Sequence, residues 1–197
     1  MEHNAELRDR LIGRLKTDDQ FYGALSEIRV AGMFVRAGYS VRFDNEDDRT
    51  RNHCEYDVTR QKTGKSFSVE VKTRHWTEFP QDTAEGRSQV KIHVGRLLRQ
   101  ALAKEANHDR LIFIELAMPD EAPSHDPATE PWWMQSATGG IKETEQLLQE
   151  QGKDVPSAIV VVSNHPHRFH YFRQDINHLS LGSLRPSGQS SALIRIQ

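Results

Sequence analysis

Hydrophobic and polar positions alternate with period two at two places near the middle of the chain. Tyr56 and Val58 alternate with Glu55, Asp57 and Thr59, and Phe67, Val69 and Val71 alternate with Ser68, Glu70 and Lys72. This is the pattern of two strands, each with one apolar side. Between them, Lys62-Thr63-Gly64-Lys65 reads as a tight turn in which glycine supplies a positive φ. With Thr63 and Gly64 as the turn, Lys62 pairs with Lys65 and Asp57 falls opposite Glu70, the Cβ atoms about 5 Å apart. Glu70 and Lys72 point the same way. Two carboxylates at that spacing repel, so the hairpin calls for a cation, supplied by Lys72 or by a divalent metal. The plainer alternative is a wet strand face on which Lys72 neutralises a carboxylate.

The period lengthens to 3.6 over residues 21–37. Phe21, Ala24, Leu25, Ile28, Ala31, Gly32, Phe34 and Val35 form one stripe, which predicts an amphipathic helix packed on a core. Glu27 falls inside that stripe, where a carboxylate needs a partner, a proton or a nearby cation. It could instead sit at the margin, reach water, or meet Arg29 or Arg36 on a neighbouring turn. Gly38 suits the residue after the helix, and 39–43 begins an alternating strand. Further along, residues 6–16 and 90–106 predict helices, 111–116 a buried strand, 141–151 a helix and 158–162 another buried strand. Phe169, Tyr171 and Phe172, and then Leu193, Ile194 and Ile196, predict two more strands. Residues 119–131 are acidic and too rich in proline for regular structure. Trp132-Trp133-Met134 reads as core anchors or as an aromatic platform for bases.

The ordered set of a helix bearing Glu27, then Gly38-Tyr39 and Val41, then Asp57, then Glu70-Val71-Lys72 on the next strand resembles the PD-(D/E)XK nuclease superfamily. The resemblance covers about residues 20–118, with Tyr56 standing where the motif has proline. It implies a three-layer, restriction-endonuclease-like α/β fold with a mixed central sheet flanked by helices, and a single domain over 1–197 with a C-terminal elaboration at 132–197. It implies metal-dependent hydrolysis of phosphodiester bonds, with DNA ahead of RNA as substrate. Asp57, Glu70, Lys72 and Glu27 are then the catalytic residues. Asp57, Glu70, the Val71 carbonyl and Glu27 would hold Mg2+, with Mn2+ able to substitute, since magnesium prefers a few carboxylate oxygens, water and substrate phosphate. Thr73, Arg74, Gln89, Lys91 and Arg96 are candidate contacts to the nucleic-acid backbone, or else polar residues of solvated strand and helix faces.

Composition changes this picture little. The chain carries 26 basic and 28 acidic residues, a formal charge of −2, so it has no strong overall affinity for polyanions. The half containing Asp57 and Glu70 is the more basic. The single cysteine, Cys54, excludes an internal disulfide and, with no apolar leader and no membrane-length apolar run, predicts a soluble cytoplasmic protein. His165, His167 and His170 invite a zinc reading, but Pro166 and the lack of cysteine partners favour a surface loop. No phosphate-cradling glycine loop, serine nucleophile elbow or repeat is present. With no separate recognition module, target choice is expected from structure-selective binding, a homodimer or a partner subunit, which fits repair, restriction or defence. The rival expectation is a catalytically inactive protein of the same fold that binds nucleic acid or protein.

Overall fold

The computed structural model describes residues 2–43, 52–74, 92–116, 132–152, 156–164 and 190–196. Helices α1 (Glu2–Leu15) and α2 (Asp18–Arg36) lead into strand β1 (Tyr39–Phe43), followed by β2 (Tyr56–Arg60) and β3 (Ser66–Thr73). Helix α3 (Val94–Leu102), β4 (Asp109–Glu115), helix α4 (Trp132–Glu150), β5 (Ala158–Asn164) and β6 (Ser190–Ile196) complete the order. The six strands among the described residues form one sheet in chain order. β1, β2 and β3 make an antiparallel meander, β3, β4 and β5 run parallel, and β6 returns antiparallel to β5. The α/β class and mixed sheet expected from the sequence are those observed.

Helices cover both faces, so the fold has three layers. On one side α2 lays Val30, Ala31 and Phe34 over Tyr56, Val58, Val69, Val71, Leu111 and Phe113. On the other, α3 and α4 lay Leu97, Leu98, Ala101, Trp133, Ala137 and Ile141 over Ile112, Ile114, Val160 and Val162. Trp133 is thus a core residue inside α4, a helix that begins at Trp132 and absorbs a segment read from sequence as lying before it. Where α3 crosses α4, Gly95 and Gly140 meet backbone to backbone, and Thr144 Oγ1 donates to the Gly95 carbonyl at 3.3 Å.

This second face is not uniform. Over β4 and β5 it is apolar and buried under the two helices. Over β1, β2 and β3 it carries Ser40, Arg42, Asp57, Thr59, Ser68 and Glu70, by the alternation of strands whose other side feeds the α2 core. The boundary between the polar and apolar halves runs along β3.

Candidate active site

The hairpin of β2 and β3 closes differently from the two-residue turn expected. Arg60 N–H donates to the Lys65 carbonyl, while the amides of Thr63 and Gly64 both donate to the Arg60 carbonyl, so the loop is Gln61 to Gly64. Gly64 takes the positive φ, 70°, as its final residue. The register follows, and Asp57 pairs with Ser68 rather than with Glu70. The expected direct opposition of Asp57 and Glu70 is therefore corrected by two residues. A slip of one would have turned every side chain over, whereas a slip of two preserves the faces. Asp57, Ser68, Glu70 and Lys72 still share one side, with Asp57 and Glu70 diagonal neighbours whose Cα atoms stand roughly 7–8 Å apart.

Their environments differ sharply. Ser68 Oγ donates to Asp57 Oδ1 at 2.7 Å, and Arg42 Nη2 and Asn107 Nδ2 donate to Oδ2 at 2.8 and 3.2 Å. His108 Nε2 stands 4.0 Å from the same oxygen. Burial pushes the Asp57 carboxyl up, but these hydrogen bonds and the imidazole together hold it below the ordinary carboxylate range. Asp57 is charged and fully partnered.

Glu70 lies beside Ile112 of β4, at the edge of the apolar half, and is 1 % exposed. Lys72 Nζ stands 2.6 Å from Oε1 in a close ion pair. The other oxygen, Oε2, has no hydrogen-bond partner among the described residues. Burial, and then the charge of Glu55, raise its carboxyl to about 7 against the pull of Lys72 and Lys104. Glu55, whose amide donates to the Val69 carbonyl, sits just before β2 and close to the position opposite Glu70 that was expected for Asp57. Cys54, also just outside β2, is buried nearby, and burial followed by the charge of Glu70 pushes its thiol up to about 12, so it stays protonated.

Glu27 does not join this group. Its helix packs on the opposite side of the sheet, and Arg14 of α1 grips both carboxylate oxygens, at 2.7 and 2.6 Å. The core-stripe carboxylate does need a partner, but that partner comes from the preceding helix and is neither Arg29 nor Arg36. Tyr56 donates its hydroxyl to the Glu27 carbonyl, which fixes α2 against β2. Thr73 sits on the α2 side too, its hydroxyl bonded to Ser26. Val71 turns its side chain into the α2 core. Arg74 follows β3, near enough to Arg96 of α3 for burial, and then that second charge, to lower its pKa. Gln89, Lys91, the 119–131 loop, the His165, His167 and His170 group, and the strand expected around 169–172 lie outside the described residues.

Beside Asp57 a cleft of about 340 Å³ opens over β1 and β2, lined by Ser40, Val41, Arg42, Asp57, Thr59 and His108. Its wall is the α3–β4 connection, which the sequence reading did not single out. Asn107 and His108 donate their amides to Ser68 Oγ, both at 3.1 Å, and Lys104 of the same connection stands 3.9 Å from Glu70 Oε1.

Comparison with known proteins adds little to this geometry. No family model matches the chain, and no curated protein matches it. Among solved structures the chain is similar to SfsA of Pyrococcus furiosus, in complex with Ca2+, at 14 % identity and a TM-score of 0.29. The similarity covers 72 % of this chain and 56 % of that one, so the chain spans little more than half of that protein's length. Among the described residues no helix is long and apolar enough to cross a membrane, and no group of three or more His, Cys, Asp or Glu is arranged to hold a metal ion.

Proposed function

We propose that the protein is a Mg2+-dependent nuclease, hydrolysing phosphodiester bonds of DNA in preference to RNA, and that Asp57, Glu70 and Lys72 carry the reaction. The observation that carries this reading is Glu70, a carboxylate buried at the edge of the apolar half of the sheet, one oxygen 2.6 Å from an ammonium and the other without a hydrogen bond among the described residues. Buried acceptors are almost always satisfied, so the unpartnered Oε2 favours a further cation held beside Lys72. The donor set fits a hard ion: Glu70 and Asp57 offer carboxylate oxygens on one face, and the Val71 carbonyl is a further oxygen from the same strand. Glu27, held by Arg14, is left out of the set.

A bound magnesium or manganese ion would supply Lewis acidity and a more acidic water. The chain's own part is to arrange the charges around it. For Asp57 to release an oxygen, Arg42 must swing away, and its side chain, 72 % exposed, is free to do so. Lys72, displaced from Glu70, would orient the attacking water or hold the phosphate while charge develops. Ser68 and Asn107 would keep Asp57 in place throughout. Target choice would come from structure-selective binding, a homodimer or a partner subunit, in repair, restriction or defence.

One set of contacts favours a second reading. Asp57 is neutralised by Arg42 and saturated by Ser68 and Asn107, as a structural carboxylate would be. On that reading the protein binds nucleic acid or another protein without turnover. Purified protein incubated with plasmid, single-stranded DNA and RNA, with and without Mg2+ or Mn2+, separates the two. Metal-dependent cleavage that falls about a hundredfold or more in both Asp57→Ala and Lys72→Ala is the expected result. Absence of cleavage of every substrate by the wild-type protein would leave the second reading, and cleavage surviving both substitutions would remove the assigned site.

A further inference from the structure

We propose that Lys104 is a second phosphate-binding lysine of this site, poised to hold the nucleic-acid backbone beside Glu70. The inference rests on the hydrolase reading above and adds a residue that the motif does not contain. Lys104 Nζ is 3.9 Å from Glu70 Oε1, too far for a hydrogen bond and near enough for its charge to be felt. Lys72 already holds that oxygen at 2.6 Å. A second ammonium is therefore present whose three donors are not spent on the carboxylate it faces, and its side chain, 23 % exposed, retains access to solvent.

The backbone around it is pinned in a way that an ordinary surface lysine does not require. Lys104 N–H donates to the Ala101 carbonyl, and Arg110 Nη2 donates to the Lys104 carbonyl at 3.0 Å. On either side, Asn52 Nδ2 donates to the Ala103 carbonyl, Glu105 N–H to the Asn52 carbonyl and Cys54 N–H to the Glu105 carbonyl. These bonds tie the end of α3 to the segment that enters β2, three residues before Asp57. The backbone of Lys104 is thereby fixed relative to both carboxylates, which keeps its ammonium within reach of a phosphate bound between them. The same connection sends Asn107 to Asp57, so one short stretch addresses both acidic residues.

A cation in this position has opposite effects on the two ligands of a nuclease: it repels a metal ion and attracts a phosphate. The test measures both, without relying on cleavage. In EDTA, fluorescence anisotropy of a labelled DNA duplex and of a labelled single strand is followed against salt for wild type, Lys104→Ala, Lys104→Arg and Lys142→Ala, the last an exposed lysine on α4. Mn2+ binding is followed by calorimetry on the same proteins.

Lys104→Ala is expected to bind DNA about fivefold more weakly with a log–log salt slope smaller by about one, and to bind Mn2+ about threefold more tightly. Lys104→Arg should retain the slope, and Lys142→Ala should behave as wild type. An unchanged slope and an unchanged Mn2+ affinity in Lys104→Ala overturn the proposal even if the wild type cleaves DNA. Failure of the wild type to bind Mn2+ at all overturns the hydrolase reading itself, and failure to bind either form of DNA overturns the phosphate role.

Discussion

Glu70→Gln should make the protein more stable at neutral and alkaline pH while leaving it unchanged in acid. The Glu70 carboxyl stands at about 7 in the fold against an ordinary 4.5, raised first by burial and then by Glu55. At 1.36 kcal/mol for each pH unit, carrying that charge costs the native state about 3 kcal/mol. The sign follows from proton binding. Between pH 4.5 and about 7 the native protein holds a proton that the unfolded chain has released, so stability falls as pH rises through this window and stays low above it. Glutamine keeps the shape and cannot ionise. Lys72, 21 % exposed, can turn to water when its partner is neutral. Urea unfolding of wild type and Glu70→Gln should therefore coincide at about pH 4 and diverge by about 3 kcal/mol at about pH 8, with the variant flat across the window. Asp57 does not confuse the result, because its carboxyl lies below 3.8 and its stabilising charge is lost only as pH falls through that lower range. A variant that keeps the wild-type slope between pH 4.5 and 7 would show that Glu70 is not the group held protonated, and the unpartnered Oε2 would lose its physical meaning.

Two further substitutions test the frame around the site. Ser68 is fully buried, donates to a charged carboxylate and accepts two amides, so Ser68→Ala should cost about 3 kcal/mol in urea unfolding. Ser66→Ala, on a half-exposed hydroxyl bonded to Thr59, should cost under about 0.5 kcal/mol, and equal losses would contradict the network. Gly95→Ala gains about 1 kcal/mol of helix propensity, but its Cβ would lie 2.8 Å from both the Gly140 carbonyl and Thr144 Oγ1. A net loss of about 2 kcal/mol is expected from thermal unfolding, and a gain in stability would mean that α3 and α4 can part at no cost.

What could be read from sequence and what could not divides along a physical line. The faces of β2 and β3 were legible because alternation is a local property: Asp57, Glu70 and Lys72 share a side whichever residues close the turn. Register was not legible, since Gly64 marks a position needing positive φ without saying whether that position is the second of two loop residues or the last of four. Long helices were legible from their stripes, but α4 swallowed Trp132 and Trp133 because a tryptophan pair carries no period of its own. Glu27 was legible as a buried carboxylate in need of a cation. Its partner Arg14 was not, because it lies on another helix, whereas helical spacing within α2 could offer only Arg29 and Arg36.

The α3–β4 connection is the sharpest case. Lys104, Asn107 and His108 belong to no stripe and no alternation, and they reach Glu70 and Asp57 only because β3, α3 and β4 form a parallel crossover that returns the chain to the start of β3. Such a crossover brings residues some forty positions apart into hydrogen-bonding range, and no periodicity can encode that. The crossover also decides where the charged group can exist at all. Its helix covers β4, so the carboxylate on β3 is dry on the side of Ile112, meets the charge of Glu55 on the side of β2, and is reached by Lys72 and Lys104. One strand toward β1, Asp57 is buried too, but its hydrogen bonds hold it below the ordinary carboxylate range. Glu70 stands on the strand where burial raises a carboxylate while two ammonium groups oppose the rise, which is why moving it to β4, away from those ammonium groups, should raise its pKa further.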